Sequence, residues 1–209
     1  MKSKIKSGGV LLLTVLVAVS CSSLRSPSLT TNTNAANTNA GNSSGSTSSP
    51  QNSTQSTANT PIKSIYSDFE GKGCGASKTT GEISAERTCA GIEGYKLLIL
   101  TDDDRDSITV ITPNGKQHPL DFWDKISKGA FNALGQKAEW RVDSKSGKDV
   151  PIALIVRVDV QSEEKKTSYL AVSKITDQKI CVTDRIAPGA DQNEKARVAA
   201  DASASKPCL

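Results

Sequence analysis

Every aromatic residue of this chain lies beyond position 65, and from Ser22 to Thr60 the sequence is almost wholly Ser, Thr, Asn, Ala, Gly and Gln with two leucines. Such a stretch buries too little apolar surface to offset the entropy of ordering it, so it reads as a disordered tether. Some forty residues of flexible coil have a root-mean-square span of about 35 Å. Apart from an apolar run near the start, the residues able to build a hydrophobic interior are confined to 61–209. That is room for one modest domain.

The first twenty residues place Lys2, Lys4 and Lys6 before an apolar run from Val10 to Val19, with Ser20 ahead of Cys21. This is the layout of a secretory signal. A run of about ten residues is half of what crosses a bilayer, so a retained transmembrane anchor is disfavoured. Val17-Ala18-Val19-Ser20-Cys21 resembles the lipobox of bacterial lipoproteins, with Ala18 where Leu is usual. The resemblance implies cleavage before Cys21, acylation of Cys21 and anchorage of the mature chain in the cell envelope. Ser22 stands where the enterobacterial lipoproteins retained at the inner membrane carry Asp, which favours the outer membrane. Ala18-Val19-Ser20 also fits an ordinary cleavage site, and that alternative would release a secreted protein. The expected organisation is a signal peptide (1–20), a lipidated cysteine and tether (21–60), and a folded domain with a C-terminal tail (61–209).

Five cysteines in an exported chain leave one over, and lipidation of Cys21 accounts for it. Cys74, Cys89, Cys181 and Cys208 then form an even set that admits three connectivities. Composition favours Cys74 with Cys89, closing a loop rich in Gly, Ser and Thr, and Cys181 with Cys208, pinning the tail Lys206-Pro207-Cys208-Leu209 to a strand. A zinc site is disfavoured, because no CxxC occurs and His118 is the single histidine.

Beyond Pro61 the pattern is one of short apolar runs divided by turn signals, the mark of an antiparallel sheet. Strands are predicted at Tyr95–Leu100, Ser107–Thr112, Lys116–Leu120, about Ala138–Asp143, Val150–Gln161, Thr167–Thr176 and Ile180–Ile186. In the longest of these, Ile152, Leu154, Val156, Val158 and Val160 share one face. The spacing of Phe122, Ile126, Ala130 and Phe131 predicts a short helix capped by Asp121 and stopped by Gly135. Asp191–Ala202 has helix-forming composition. The expected fold is α+β, mainly β: an antiparallel sheet of six or seven short strands with one or two small helices, stapled by disulfides.

The charge balance excludes a typical nucleic-acid binder. The formal net charge of +4 falls to about +1 once Lys2, Lys4 and Lys6 are removed, and no basic block remains. No phosphate loop, dinucleotide fingerprint or GxSxG elbow occurs, and no cofactor is expected. The acids Asp102, Asp103, Asp104 and Asp106 surround Arg105 and lack the Gly and distal Glu of an EF-hand, so they read as a solvated hairpin tip rather than a calcium site. His118, beside Pro119, reads as structural or exposed. Phe122, Trp123 and Trp140 are either core or a recognition surface. The expected function is an envelope-anchored binding or structural module that engages an envelope protein or peptidoglycan. The alternative is a hydrolase pairing His118 with the acids at 102–106.

Overall fold

The computed structural model describes residues 62–144, 147–163 and 165–209. The signal-like segment, Cys21 and the tether lie outside the described residues. The strands are β1 (Lys63–Asp68), β2 (Lys78–Thr79), β3 (Ser84–Ala90), β4 (Lys96–Asp102), β5 (Arg105–Ile111), β6 (Gln117–Pro119), β7 (Phe131–Asp143), β8 (Val150–Gln161), β9 (Lys166–Ile175) and β10 (Ile180–Ile186), followed by helix α1 (Gln192–Asp201). No described helix is long and apolar enough to cross a membrane.

All ten strands belong to one hydrogen-bonded sheet in the order β10-β9-β8-β7-β5-β4-β3-β2, with β1 also pairing β7 and β6 also pairing β5. The fold is mainly β, but the expectation of six or seven antiparallel strands is corrected to ten strands in a mixed sheet. The parallel element is a single bridge, Arg105 opposite Asn132. The strands missed are β1, β2 and β3, whose sequences alternate too weakly to announce themselves. They form because partners supply their ladders: β1 pairs with Lys137–Val142 of β7, and β3 pairs with β4 along its whole length. Backbone hydrogen bonding, not side-chain pattern, recruits them.

Strand β7 is the pivot of the sheet. One of its edges pairs with β8, while the other is shared by β1 and, at Asn132, by β5. The sheet therefore divides into two halves, β1-β7-β8-β9-β10 and β6-β5-β4-β3-β2, and β10 also comes into contact with β6. Leu97, Ile99, Ile108 and Val110 from one half pack with Trp140, Leu154, Val156 and Val182 from the other in one buried cluster. Each such side chain contributes about 1.5–3 kcal/mol by leaving water.

The opposite face of the β1-β7-β8-β9-β10 half is covered by α1. Ala153, Ile155, Leu170 and Val172 meet Ala196, Ala199 and Ala200 of the helix. Alanines on that face let the helix axis lie close to the sheet, and they make β8 a strand buried on both sides. Around this small apolar contact runs a polar network. Arg197 donates to Glu139 Oε1 at 2.6 Å and to the Tyr66 hydroxyl at 3.2 Å, while Ser64 donates to Glu139 at 2.5 Å and accepts from Arg141 at 2.6 Å.

The segment after β6 departs from the predicted helix. Only Trp123–Ser127 is helical, a π-type turn whose first-turn cap is Phe122 without a side-chain cap bond. The expected side-chain cap from Asp121 is not made: the N-cap position falls on Phe122, and Asp121 precedes it at a φ of 50°, its carbonyl accepting from Lys125 N at 3.0 Å. Phe122 and Ile126 are buried as their spacing implied, but Lys128 and Gly129 turn left-handed and end the helix before Phe131, which opens β7. Gly135 is no stop either. It lies where the β7–β8 register shifts, and a Cβ there would meet Arg157 Cβ at 2.9 Å, a close approach that a larger residue obstructs.

Two disulfides brace the sheet. Cys74 bonds Cys89 of β3, holding the segment before β2 to its neighbour, and Cys181 of β10 bonds Cys208. The C-terminal residue continues the second attachment, Leu209 N donating to Val182 O at 2.9 Å.

Candidate functional site

The β4–β5 hairpin turns through Asp103 and Asp104, at φ values of 47° and 54°, with Asp102 paired to Arg105. Two consecutive left-handed residues are the tight turn that matches strand twist, and Asp tolerates that conformation better than most side chains. The acid cluster is thus the tip of a hairpin, and its geometry aims the flanking residues at the start of β7. Among the described residues no group of three or more His, Cys, Asp or Glu is arranged to hold a metal ion.

At that junction side chains replace a ladder. Asp106 Oδ2 accepts from Leu134 N at 3.0 Å, Asp106 Oδ1 accepts from the Thr101 hydroxyl at 2.6 Å, and Asn132 Nδ2 donates to Asp106 O at 2.8 Å. The strands consequently part after one bridge and leave a cleft of ≈ 380 Å³. Asp104, Asp106, Phe131, Asn132, Asp159 and Lys166 are among its lining residues.

A second cavity of ≈ 510 Å³ adjoins it, lined by Arg105, Gly129, Ala130, Phe131, Gln161, Ser162 and Glu163. Phe131 and Gln161 line both, so they stand between them. The Arg105 guanidinium lies 4.5 Å from the Phe131 ring centroid and 5.1 Å from that of Trp123, and it is ion-paired to Asp103. Both rings are about half exposed, at 48% and 52%. The result is an aromatic–cation–aromatic stack at the rim of a polar cleft.

Of the three aromatics considered as a recognition surface, only Trp123 reaches solvent. Phe122 and Trp140 are fully buried, and this corrects the grouping. Trp140 donates Nε1–H to Ser67 Oγ at 2.9 Å and packs 5.9 Å from the Tyr95 ring, so its polar edge is satisfied inside the core. Phe131 is the aromatic that sequence reasoning missed, having been assigned to the buried face of a helix. The signal that could have exposed it was Lys128-Gly129, which breaks the helical period just before it.

His118 and the acids at 102–106 are not brought together. His118 pairs with Val110 on β5, whereas Asp106 lies four residues along the same strand, a separation of about 13 Å. His118 instead borders another cavity with Tyr95, Lys116 and Asp177. Burial, then the charge of Lys116, lowers its pKa, and burial with Asp177 raises that of Tyr95.

The architecture defines a class rather than a name: a disulfide-braced, mainly β domain with a helix on one face and an acidic, aromatic-rimmed cleft at a strand junction. The chain matches no family model, no curated protein and no solved structure.

Proposed function

We propose that this chain is a bacterial lipoprotein, anchored in the envelope through Cys21, whose folded domain is a binding module. The observation that carries the binding reading is the exposure of Trp123 and Phe131 around Arg105 at the rim of the cleft. A small domain that buries Phe69, Phe122 and Trp140 completely has no packing reason to hold two large rings half in water. Aromatic and arginine side chains together are what binding hot spots are made of. The two disulfides are consistent with an oxidising compartment outside the cytoplasm.

Two measurements test the two halves. Intact mass of the protein extracted from membranes should show an acylated N-terminus at Cys21, and an unmodified mature chain would remove the anchor. A photo-crosslinking residue at position 123 in intact cells should capture a reproducible partner. The control position is Val150, half exposed at the far end of β8 from Gln161, about 36 Å away. Equal capture from both positions, or none from 123, would remove a macromolecular partner at this surface.

A further inference from the structure

Arg157 follows Ala153 and Ile155 on the face of β8 that α1 covers, and it emerges at the first residues of the helix. Its guanidinium donates to Ser168 Oγ at 2.8 Å, Gln192 Oε1 at 3.1 Å and Asn193 Oδ1 at 3.1 Å. All three acceptors are neutral. Among the described residues Arg157 forms no ion pair, and its fork of donors is only partly used. A cation beside a helix N-terminus also stands against the helix dipole.

The position is built nonetheless. Gln192 is 7% exposed and gives Nε2 to Ser168 O at 2.8 Å and Ile186 O at 3.2 Å, which fixes Oε1 toward Arg157. Gly135 leaves the space that the arginine stem occupies.

Arg157 borders a cavity of ≈ 200 Å³, lined also by Tyr66, Lys137, Glu139, Asn193 and Arg197. Glu139 is engaged by Arg197, which donates to both of its oxygens at 2.6 and 3.3 Å. Lys137 has Asp68 at 3.8 Å, with both side chains more than half exposed, a surface pair of small worth. Asp159, two residues along β8, lies 3.5 Å from Lys166. Lys137 and Arg157 are therefore the excess charge of the cavity. Asn193, having turned Oδ1 to Arg157, keeps Nδ2 to donate, and the Tyr66 hydroxyl, which accepts from Arg197 at 3.2 Å, keeps its proton.

These donors come from β1, β7, β8 and α1 rather than from one plane, which suits an anion with oxygens on every side better than a planar carboxylate. The space takes one such group and a few atoms of its carrier, not a length of polyanion, in keeping with a chain that has no basic block. We infer that this cavity binds a phosphate group, with its oxygens among Arg157, Lys137, Asn193 Nδ2 and the Tyr66 hydroxyl. The site is separate from the aromatic rim at Trp123 and Phe131 and does not rest on the binding reading. The same chemistry has two sources, the phosphodiester headgroup of an anionic lipid or a soluble phosphate monoester.

Calorimetric titration of the chain as purified from its producing cells, at an ionic strength held constant with chloride, separates them. The probes are inorganic phosphate, glycerol 3-phosphate, glycerophosphoglycerol, which is a lipid headgroup without its acyl chains, and acetate. The phosphates should bind, acetate should not, and added salt should weaken binding. Arg157→Gln should reduce affinity by about tenfold. Lys137→Gln should reduce it by about threefold. Because Arg157 also braces the start of α1, Lys137→Gln, at an exposed position, is the variant that keeps the test independent of folding, and its circular dichroism spectrum should match the native chain's. Tighter binding of the diester, despite its single charge, assigns the cavity to a lipid headgroup. Equal or tighter binding of the monoester or inorganic phosphate assigns it to a soluble phosphate.

Absence of binding by every phosphate probe to folded protein overturns the inference. Binding that Lys137→Gln leaves unchanged overturns it as well, and Arg157 then serves only to brace the helix. Acetate that binds as tightly as the phosphates would give the cavity to a carboxylate instead.

Discussion

Arg141 on β7 donates to both carboxylate oxygens of Asp201, the last residue of α1, at 2.7 and 2.8 Å. Only 9% of the arginine side chain is exposed, whereas its partner is 31% exposed. The helix that covers the sheet is thus locked at its C-terminal end by a two-bond ion pair placed where a cation also suits the helix dipole.

Removing Asp201 leaves a buried guanidinium with Ser64 as its remaining side-chain partner. Asp201→Ala should cost about 2–3 kcal/mol, a lower midpoint of urea unfolding with an unchanged slope. A change under about 0.5 kcal/mol would show that α1 is held by its alanine contacts alone.

The other end of the network sets a pH dependence. Burial pushes the Glu139 carboxyl up, but hydrogen bonds from Arg197 and Ser64, with the charges of Arg197 and Arg141, more than offset it and hold the pKa below the ordinary 4.5. A carboxylate depressed by folding contributes its stability fully above the unfolded value and loses it as pH falls through the folded one. Stability should therefore decline below pH 4.5. The gap in unfolding midpoint between the native chain and Glu139→Gln should be widest near neutral pH and close in acid, and a gap that stays constant would refute the linkage.

Cys181 and Cys208 close a loop with a sequence separation of 27, against 15 for Cys74 and Cys89. Cys208→Ser should lower stability by about 2–4 kcal/mol. The tail would keep its lysine contacts, Lys206 Nζ to Asp184 at 2.7 Å and Lys174 Nζ to Lys206 O at 2.6 Å, yet lose the anchor nearest its end. Faster amide exchange at Leu209, with β4 and β5 protected as before, is the expected signature.

Gly91 sits against the largest buried side chain. A Cβ there would lie 2.7 Å from Trp140 Cζ2 and 2.9 Å from the Tyr95 carbonyl oxygen, one of them backbone that cannot step aside cheaply. Gly91→Ala should destabilise by about 1–3 kcal/mol and perturb the near-ultraviolet signal of Trp140. A melting temperature equal to the native chain's would mean that the loop between β3 and β4 yields.

Much of the framework is legible one residue at a time. Val150–Gln161 and Ile180–Ile186 are read to their ends because inward Val, Ile and Leu alternate with outward residues or persist without a break, and α1 differs from its predicted range by one residue at each end. Of the three connectivities open to the four described cysteines, the one favoured by which loop needs closing is the one formed.

The cleft is not legible this way, because its defining strand runs against its own pattern: Phe131 and Ala133 face out while Asn132 is buried. Periodicity assumes that polar groups seek water. Here Asn132 is buried because β5 and β7 meet at one bridge, and its amide with the Asp106 carboxylate supplies hydrogen bonds that the missing ladder would have made. Likewise β1 and β3 exist through partners distant in sequence, and β4 and β7 offer them open edges that no local window contains. Local alternation determined the strands that bury side chains on their own account. Only the tertiary structure decided where two half-sheets part, which aromatic stands in water, and hence where the cleft opens.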